Sequence, residues 1–205
     1  MQLTGNQTDA LTELINIGYA RAAGALSELT GHRITLEVPR VAIHPIEKVG
    51  ELLNNSISGE VASVHQVFSG PVGGNALLLL DREAAMMLTR LLTNDNTGRN
   101  LDGSAKEVLT EVGNIVLNAC LGVFGNLLQV QVTFAVPRLH VESINNVLHS
   151  ITVADEGLRY ALTIQTKFSV RNSDVSGFLV IILGVTSLDR LLEEIEGWEQ
   201  RQMDE

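Results

Sequence analysis

The chain has 205 residues, of which 45% are hydrophobic and 19% charged: enough to bury a core of its own, with disorder confined to short pieces such as residues 200–205. Fourteen Lys and Arg against 24 Asp and Glu leave a formal charge of −10, which repels phosphate backbones and anionic headgroups and argues against nucleic acid and membrane surfaces as partners. Cys120 is the only cysteine, which excludes an intramolecular disulfide and CxxC zinc or redox motifs; residues 1–9 have no signal-like pattern, and the densest apolar run, 76–80, is too short to span a bilayer. No export or anchoring is expected, and the natural compartment is the cytoplasm.

In chain order, the pattern predicts a long helix over residues 8–30 and a strand over 34–43. Strands over 59–68 and 74–80 flank the hairpin-like turn Ser69-Gly-Pro-Val-Gly-Gly, and Asp81 opens a helix running to about residue 92. Residues 94–103, rich in Asn, Asp and Gly, form a joint. A second long helix over 104–128 and a strand over 130–141 follow. Strands over 159–170 and 177–184 then flank Arg171-Asn-Ser-Asp, and Ser187 starts a closing amphipathic helix whose stripe, 188–198, reads as packing or as a docking surface.

The two halves repeat. At an offset of 98, residues 11–43 align without a gap on 109–141 with 11 of 33 positions identical, including Glu13/Glu111, Asn16/Asn114, Pro39/Pro137 and Arg40/Arg138. The chain therefore reads as a single domain, 1–205, built of two repeats of about 1–97 and 98–205. The expected fold is α+β with a pseudo-two-fold: a largely antiparallel sheet drawn from both halves, and two long helices side by side with their motif faces toward solvent.

At 100° per residue, Leu11, Leu14, Ile15, Gly18, Ala22, Leu26 and Leu29 share one arc of the first helix, while Asp9, Glu13, Asn16 and Ala20 lie opposite. The second helix repeats the division. Leu109, Val112, Gly113, Val116, Cys120, Phe124 and Leu127 face inward, and Glu107, Glu111, Asn114 and Asn118 outward. Four Glu-x-x-Asn pairs occur in the chain, but only Glu13/Asn16 and Glu111/Asn114 are followed after 22 residues by proline, at Pro39 and Pro137.

This doubled pattern, Asp9-Glu13-Asn16-Pro39 and Glu107-Glu111-Asn114-Pro137, resembles the CheC/CheX/FliY family of response-regulator phosphatases over nearly the whole chain, and the length and two copies resemble its CheC-type members. Glu111-Val-Gly-Asn-Ile115 follows the family's helix closely; the first copy departs at Ile15, where glycine is usual, and the second at Glu107, where Asp or Ser is usual. Ser104-Ala-Lys-Glu107 also reads as a capping box, so Glu107 is not counted as a functional group. The resemblance implies hydrolysis of the aspartyl phosphate of a CheY-like response regulator in chemotaxis: Asn16 and Asn114 orient the attacking water, and Glu13 and Glu111 bridge to the regulator's active-site lysine. It implies no cofactor of the chain's own, since Mg²⁺ comes with the phosphorylated regulator. Asp9, Glu107, Pro39 and Pro137 are motif or structural positions. CheC members also bind the deamidase CheD, which is a further candidate partner, and a monomer is expected. The alternative is a non-catalytic interaction module like the FliM middle domain, or a scaffold that sequesters the regulator or CheD, with Ile15 crowding the first site.

Other signals point to structure. His32, His44, His65, His140 and His149 have no metal-ligand spacing, and residues 70–75 lack the Lys-Ser/Thr ending of a phosphate loop. Cys120 falls on the buried arc and reads as a small hydrophobe.

Overall fold

The computed structural model describes residues 3–57, 59–93, 101–127, 129–155, 157–170 and 173–203. They form α1 (Gly5–Thr30), β1 (Ile34–Pro45), α2 (Ile46–Asn54), β2 (Glu60–Ser69), β3 (Gly74–Asp81) and α3 (Arg82–Thr93). After the joint come α4 (Gly103–Leu127), β4 (Thr133–Phe134), β5 (Arg138–Ser143), α5 (Ile144–Ala154), β6 (Leu158–Val170), β7 (Ser173–Gly184) and α6 (Val185–Met203). Most of the expected joint, 94–100, lies outside the described residues, as do Leu128 and the turn residues Arg171 and Asn172. The tail expected to be unstructured is helical through residue 203.

The elements start where local chemistry says they should. Thr4 accepts from the Gln7 amide while the Gln7 side chain accepts from the Thr4 amide, a reciprocal cap that begins α1 three residues before the expected start. Gly31, at φ 68°, ends it in the left-handed region that glycine enters without strain. Asp81 Oδ1 accepts from the Ala84 amide at 2.6 Å and opens α3. Two short helices, α2 and α5, were not expected from the sequence. Their buried residues, Ile46, Val49 and Leu53 and then Ile144, Val147, Leu148 and Ile151, nevertheless have helical spacing. The strand expected over 130–141 is interrupted instead, as β4 and β5 separated by residues 135–137, because Pro137 has no N–H to give the ladder.

All strand pairs of the described sheet are antiparallel, in the order β1-β6-β7-β3-β2-β4, with β5 also on β2. Strands of the two halves are interleaved in it: β1 pairs β6, β7 pairs β3 and β2 pairs β5 across the halves, while β6/β7 and β2/β3 pair within one half. Period-two alternation then serves two layers. Ala76, Leu78 and Leu80 of β3 enter the core under α1, α3, α4 and α6, whereas Leu77 and Leu79 enter the smaller core under α2 and α5. Leu188, Leu191, Leu192 and Ile195 of α6 are buried in the larger core, so the closing stripe is packing.

α1 and α4 cross where Gly18 meets the Cys120 backbone; a Cβ at Gly18 would stand 3.0 Å from Cys120 Cα. Leu26 and Leu29 near the end of α1 line a cavity with Glu107 to Val112 near the start of α4, so the two helices run antiparallel. Among the described residues α4 is the one helix long and apolar enough to cross a membrane, yet 56% of that stretch is buried in the fold. Burial pushes the Cys120 thiol far up, which leaves it protonated at neutral pH. An aqueous disulfide reagent is therefore expected to label Cys120 only as fast as the chain unfolds, and fast labelling of the native protein would contradict this packing.

Tyr19 ties α1 to β6. Its buried hydroxyl meets Thr166 Oγ1, whose own proton goes to the Ile164 carbonyl at 3.3 Å, so Tyr19 is the donor. Burial holds the phenol neutral. Tyr19→Phe removes one buried hydrogen bond and should lower stability by about 1 kcal/mol, seen as a lower denaturant midpoint with an unchanged m-value.

Candidate functional site

The first motif lies on the outer face of α1. Asp9, Glu13 and Asn16 are all exposed, and among the described residues none of the three side chains makes a hydrogen bond or ion pair. Ile15, where a crowded site was anticipated, is 1% exposed and packs into the core, away from Glu13 and Asn16. Pro39 lies in β1 within the register shift between Glu37 and Arg40.

The second motif differs in three ways. Glu107 and Glu111 are exposed as expected, but Asn114 is only half-exposed and is held by its neighbour: Asn118 Nδ2 donates to Asn114 Oδ1 at 2.8 Å. Asn118 was placed on the solvent side by the helical wheel; it is half-buried, because Gln66 of β2 reaches it and donates to Asn118 Oδ1 at 3.0 Å. The helix start is capped by Asp102, whose Oδ1 accepts from the Ala105 amide at 2.9 Å. The expected Ser104 to Glu107 capping box is therefore not what opens α4, and Glu107 has no capping duty. Third, Gly113 brings α4 down onto β2, since a Cβ there would lie 2.4 Å from Val64 Cγ1. The corresponding position of α1 is Ile15.

Because the helices are antiparallel, the two Glu/Asn faces lie toward opposite ends of the pair. Beside the second, Leu26, Leu29, Leu92, Val108 and Val112 line a cavity of about 400 Å³ whose rim carries Glu107 and Glu111. Leu29, expected on the buried arc, is 63% exposed there because it sits past the crossing, where α1 overhangs this cavity. An apolar recess edged by two carboxylates suits a protein surface carrying a cation beside an apolar side chain. The other two Glu-x-x-Asn pairs are elsewhere. Asn54 of α2 and Asn145 of α5 bond to each other at 3.3 Å, on the layer opposite α1 and α4. Among the described residues no three His, Cys, Asp or Glu side chains gather as metal ligands.

An antiparallel sheet with a pair of long helices on one layer is a fold shared with FliY and the FliM middle domain. Thermotoga maritima FliY superposes with a TM-score of 0.76 at 17% identity, covering 96% of this chain and 99% of that one. The FliM middle domain from H. pylori gives 0.66 at 14% identity, covering 94% and 99%. In sequence, the chain is 24% identical over 146 residues, 69% of each protein, to the CheY-P phosphatase CheC of Bacillus subtilis (strain 168). No family model matches. The chain is thus similar to CheC in sequence and to FliY in fold.

Proposed function

We propose that the chain hydrolyses the aspartyl phosphate of a CheY-like response regulator, working from two sites on the outer faces of α1 and α4. The reading is carried by one observation: each helix bears an exposed Glu with an Asn three residues on, exposed on α1 and half-exposed on α4, while most of its apolar stripe lies in the core. The repeat of the motif on both helices, and a CheC phosphatase as sequence relative, support it. The chemistry asks little more of the protein. An aspartyl phosphate that arrives with its own Mg²⁺ needs an in-line water and a fixed orientation, and positioning of this kind supplies most of the acceleration. A carboxamide holds water without titrating, so Asn16 and Asn114 take that role. Glu13 and Glu111 anchor a lysine of the regulator and set its register. CheD remains a proposed second partner, and the cytoplasm the proposed compartment.

The origin of the two sites is read as a duplication. In support, α2 and α5 begin 98 residues apart at Ile46 and Ile144, and the strand order is unchanged when each strand is exchanged for its counterpart and read from the other edge.

The FliM-like fold keeps a second reading in play, in which the same helices only dock a partner. Amide chemical shifts of the labelled chain, followed while a beryllofluoride-activated regulator is added, test whether these faces take the regulator at all, and the rate of phosphate loss then separates catalysis from docking. Changes centred on Glu13, Asn16, Glu111 and Asn114 are expected; changes confined to α2 and α5, or none, would sink the proposal.

A further inference from the structure

We propose that Asn118 and Gln66 are positioning residues that lock Asn114 in place, which makes the second site preorganised and the first not. The inference rests on the phosphatase reading above for its catalytic consequence, and on geometry alone for the lock.

Three amides form a chain from the core to the surface. Gln66 of β2 is 1% exposed, and its Nε2 donates both to Asn118 Oδ1 and to the Ala135 carbonyl, each at 3.0 Å. Asn118 Nδ2 passes the contact on to Asn114 Oδ1 at 2.8 Å. One lone pair of the Asn114 carbonyl is thereby used, while its second lone pair and its NH₂ group are left for a water and a phosphoryl oxygen. The lock fixes which end of the amide is which, and a freely rotating carboxamide cannot hold a water in line.

The cost of Gln66 argues that the chain does something for the protein. Its Oε1 is buried without a partner, in a strand whose neighbours Val64 and Phe68 are core residues. A buried unpaired carbonyl is disfavoured, and a leucine would suit the site better. Local conflicts of this sort gather at functional sites. The first motif shows what the fold does without it: at the offset of 98, Asn118 corresponds to exposed Ala20 and Gln66 to buried Ile164, so among the described residues no amide holds Asn16.

At the second motif the same chain also ties the asparagine to the turn that holds the proline. Pro137 closes the break between β4 and β5, and the Ala135 carbonyl that Gln66 holds is in that break. Ala135 also donates its amide to the Val67 carbonyl at 2.9 Å. The turn is thus pinned beside Asn118, with Val136, 83% exposed, on the surface a docked regulator would meet.

The test uses the full chain in an Asn16→Ala background, so that only the second site is read. Asn118→Ala is expected to lower kcat for phosphate loss by about tenfold to a hundredfold with KM for the regulator within about twofold. Asn118→Asp keeps the bond from Gln66 but can only accept from Asn114, turning its amide end for end, and is expected not to restore kcat. Side-chain amide relaxation of the labelled chain without regulator is read in parallel: Asn114 is expected to be more ordered than Asn16 in the wild type and to fall to its level in Asn118→Ala. Equal mobility of Asn114 and Asn16 in the wild type, or an unchanged kcat in Asn118→Ala, overturns the proposal. An ordered Asn114 in a protein with no phosphatase activity overturns the phosphatase reading instead and leaves the lock standing.

Discussion

With Asn16 and Asn114 both changed to alanine, the chain should bind the phosphorylated regulator about as well as before and lose at least a hundredfold in the rate of phosphate loss. Both expectations follow from where the two side chains sit. Asn16 is exposed and bonds to nothing among the described residues, so its loss leaves no cavity and no unpaired buried group. Asn114 accepts one bond, from Asn118, which is itself half-exposed and can turn to water when that bond goes. Melting temperature should therefore shift by no more than a few degrees, and regulator affinity, set by Glu13, Glu111 and the apolar recess around Leu29, should change little. On the proposed mechanism, what is lost is the group that orders the attacking water. Misplacing a reacting group by about 1 Å can cost a factor of about 10², and removing the group should cost at least as much. Single variants separate the sites: the larger loss is expected from Asn114→Ala, whose site carries the amide lock. A reverse ranking would place the main catalytic burden on α1.

Gly113→Val should be the most destabilising single change next to the site. A Cβ at this position would sit 2.4 Å from Val64 Cγ1, 2.6 Å from its Cβ and 2.8 Å from Cγ2, closer than real contacts allow. Val64 is β-branched, 2% exposed and stiff at χ1, so it cannot swing aside, and α4 must lift from β2. Overpacking of a dense core costs about 1–3 kcal/mol, and valine in place of glycine adds two further methyl groups to the clash. The displacement also breaks the Gln66 to Asn118 contact, because Gln66 lies two residues from Val64 on the same strand face. Activity of the second site should fall together with stability. Adding Val64→Ala should recover part of both, and a double variant no better than Gly113→Val alone would show that the loss arises elsewhere.

The long helices were legible because each carries a dozen or more residues of 3.6-residue periodicity, and the motif stood out because it is copied at the same offset with its proline. The short helices α2 and α5 are nine and eleven residues long, too short for a helical period to stand out in the sequence. The second site was only half readable. Asn118 shares the outer arc of α4 by angle, but whether an outward residue meets water or a neighbouring strand is decided by tertiary packing, and here a glutamine 52 residues away reaches it. Gly113 held the one usable hint, since a glycine in mid-helix permits close approach. That it admits Val64 could not be known before β2 was placed beneath it. Glu107 was misassigned to a cap for a local reason: Ser104 fits a capping box by spacing, while Asp102, two residues earlier, had first claim on the amide of Ala105.

The central claim, that this chain removes phosphate from a response regulator through its Glu/Asn faces, is tested most directly by following acyl-phosphate loss from the host's CheY-like regulator. The regulator is phosphorylated in Mg²⁺ and mixed with the chain or with its Asn16→Ala, Asn114→Ala variant. The account predicts accelerated loss with the wild type and a rate near the regulator's own with the variant. Loss that is not accelerated by the wild type, or accelerated equally by both proteins, would contradict it.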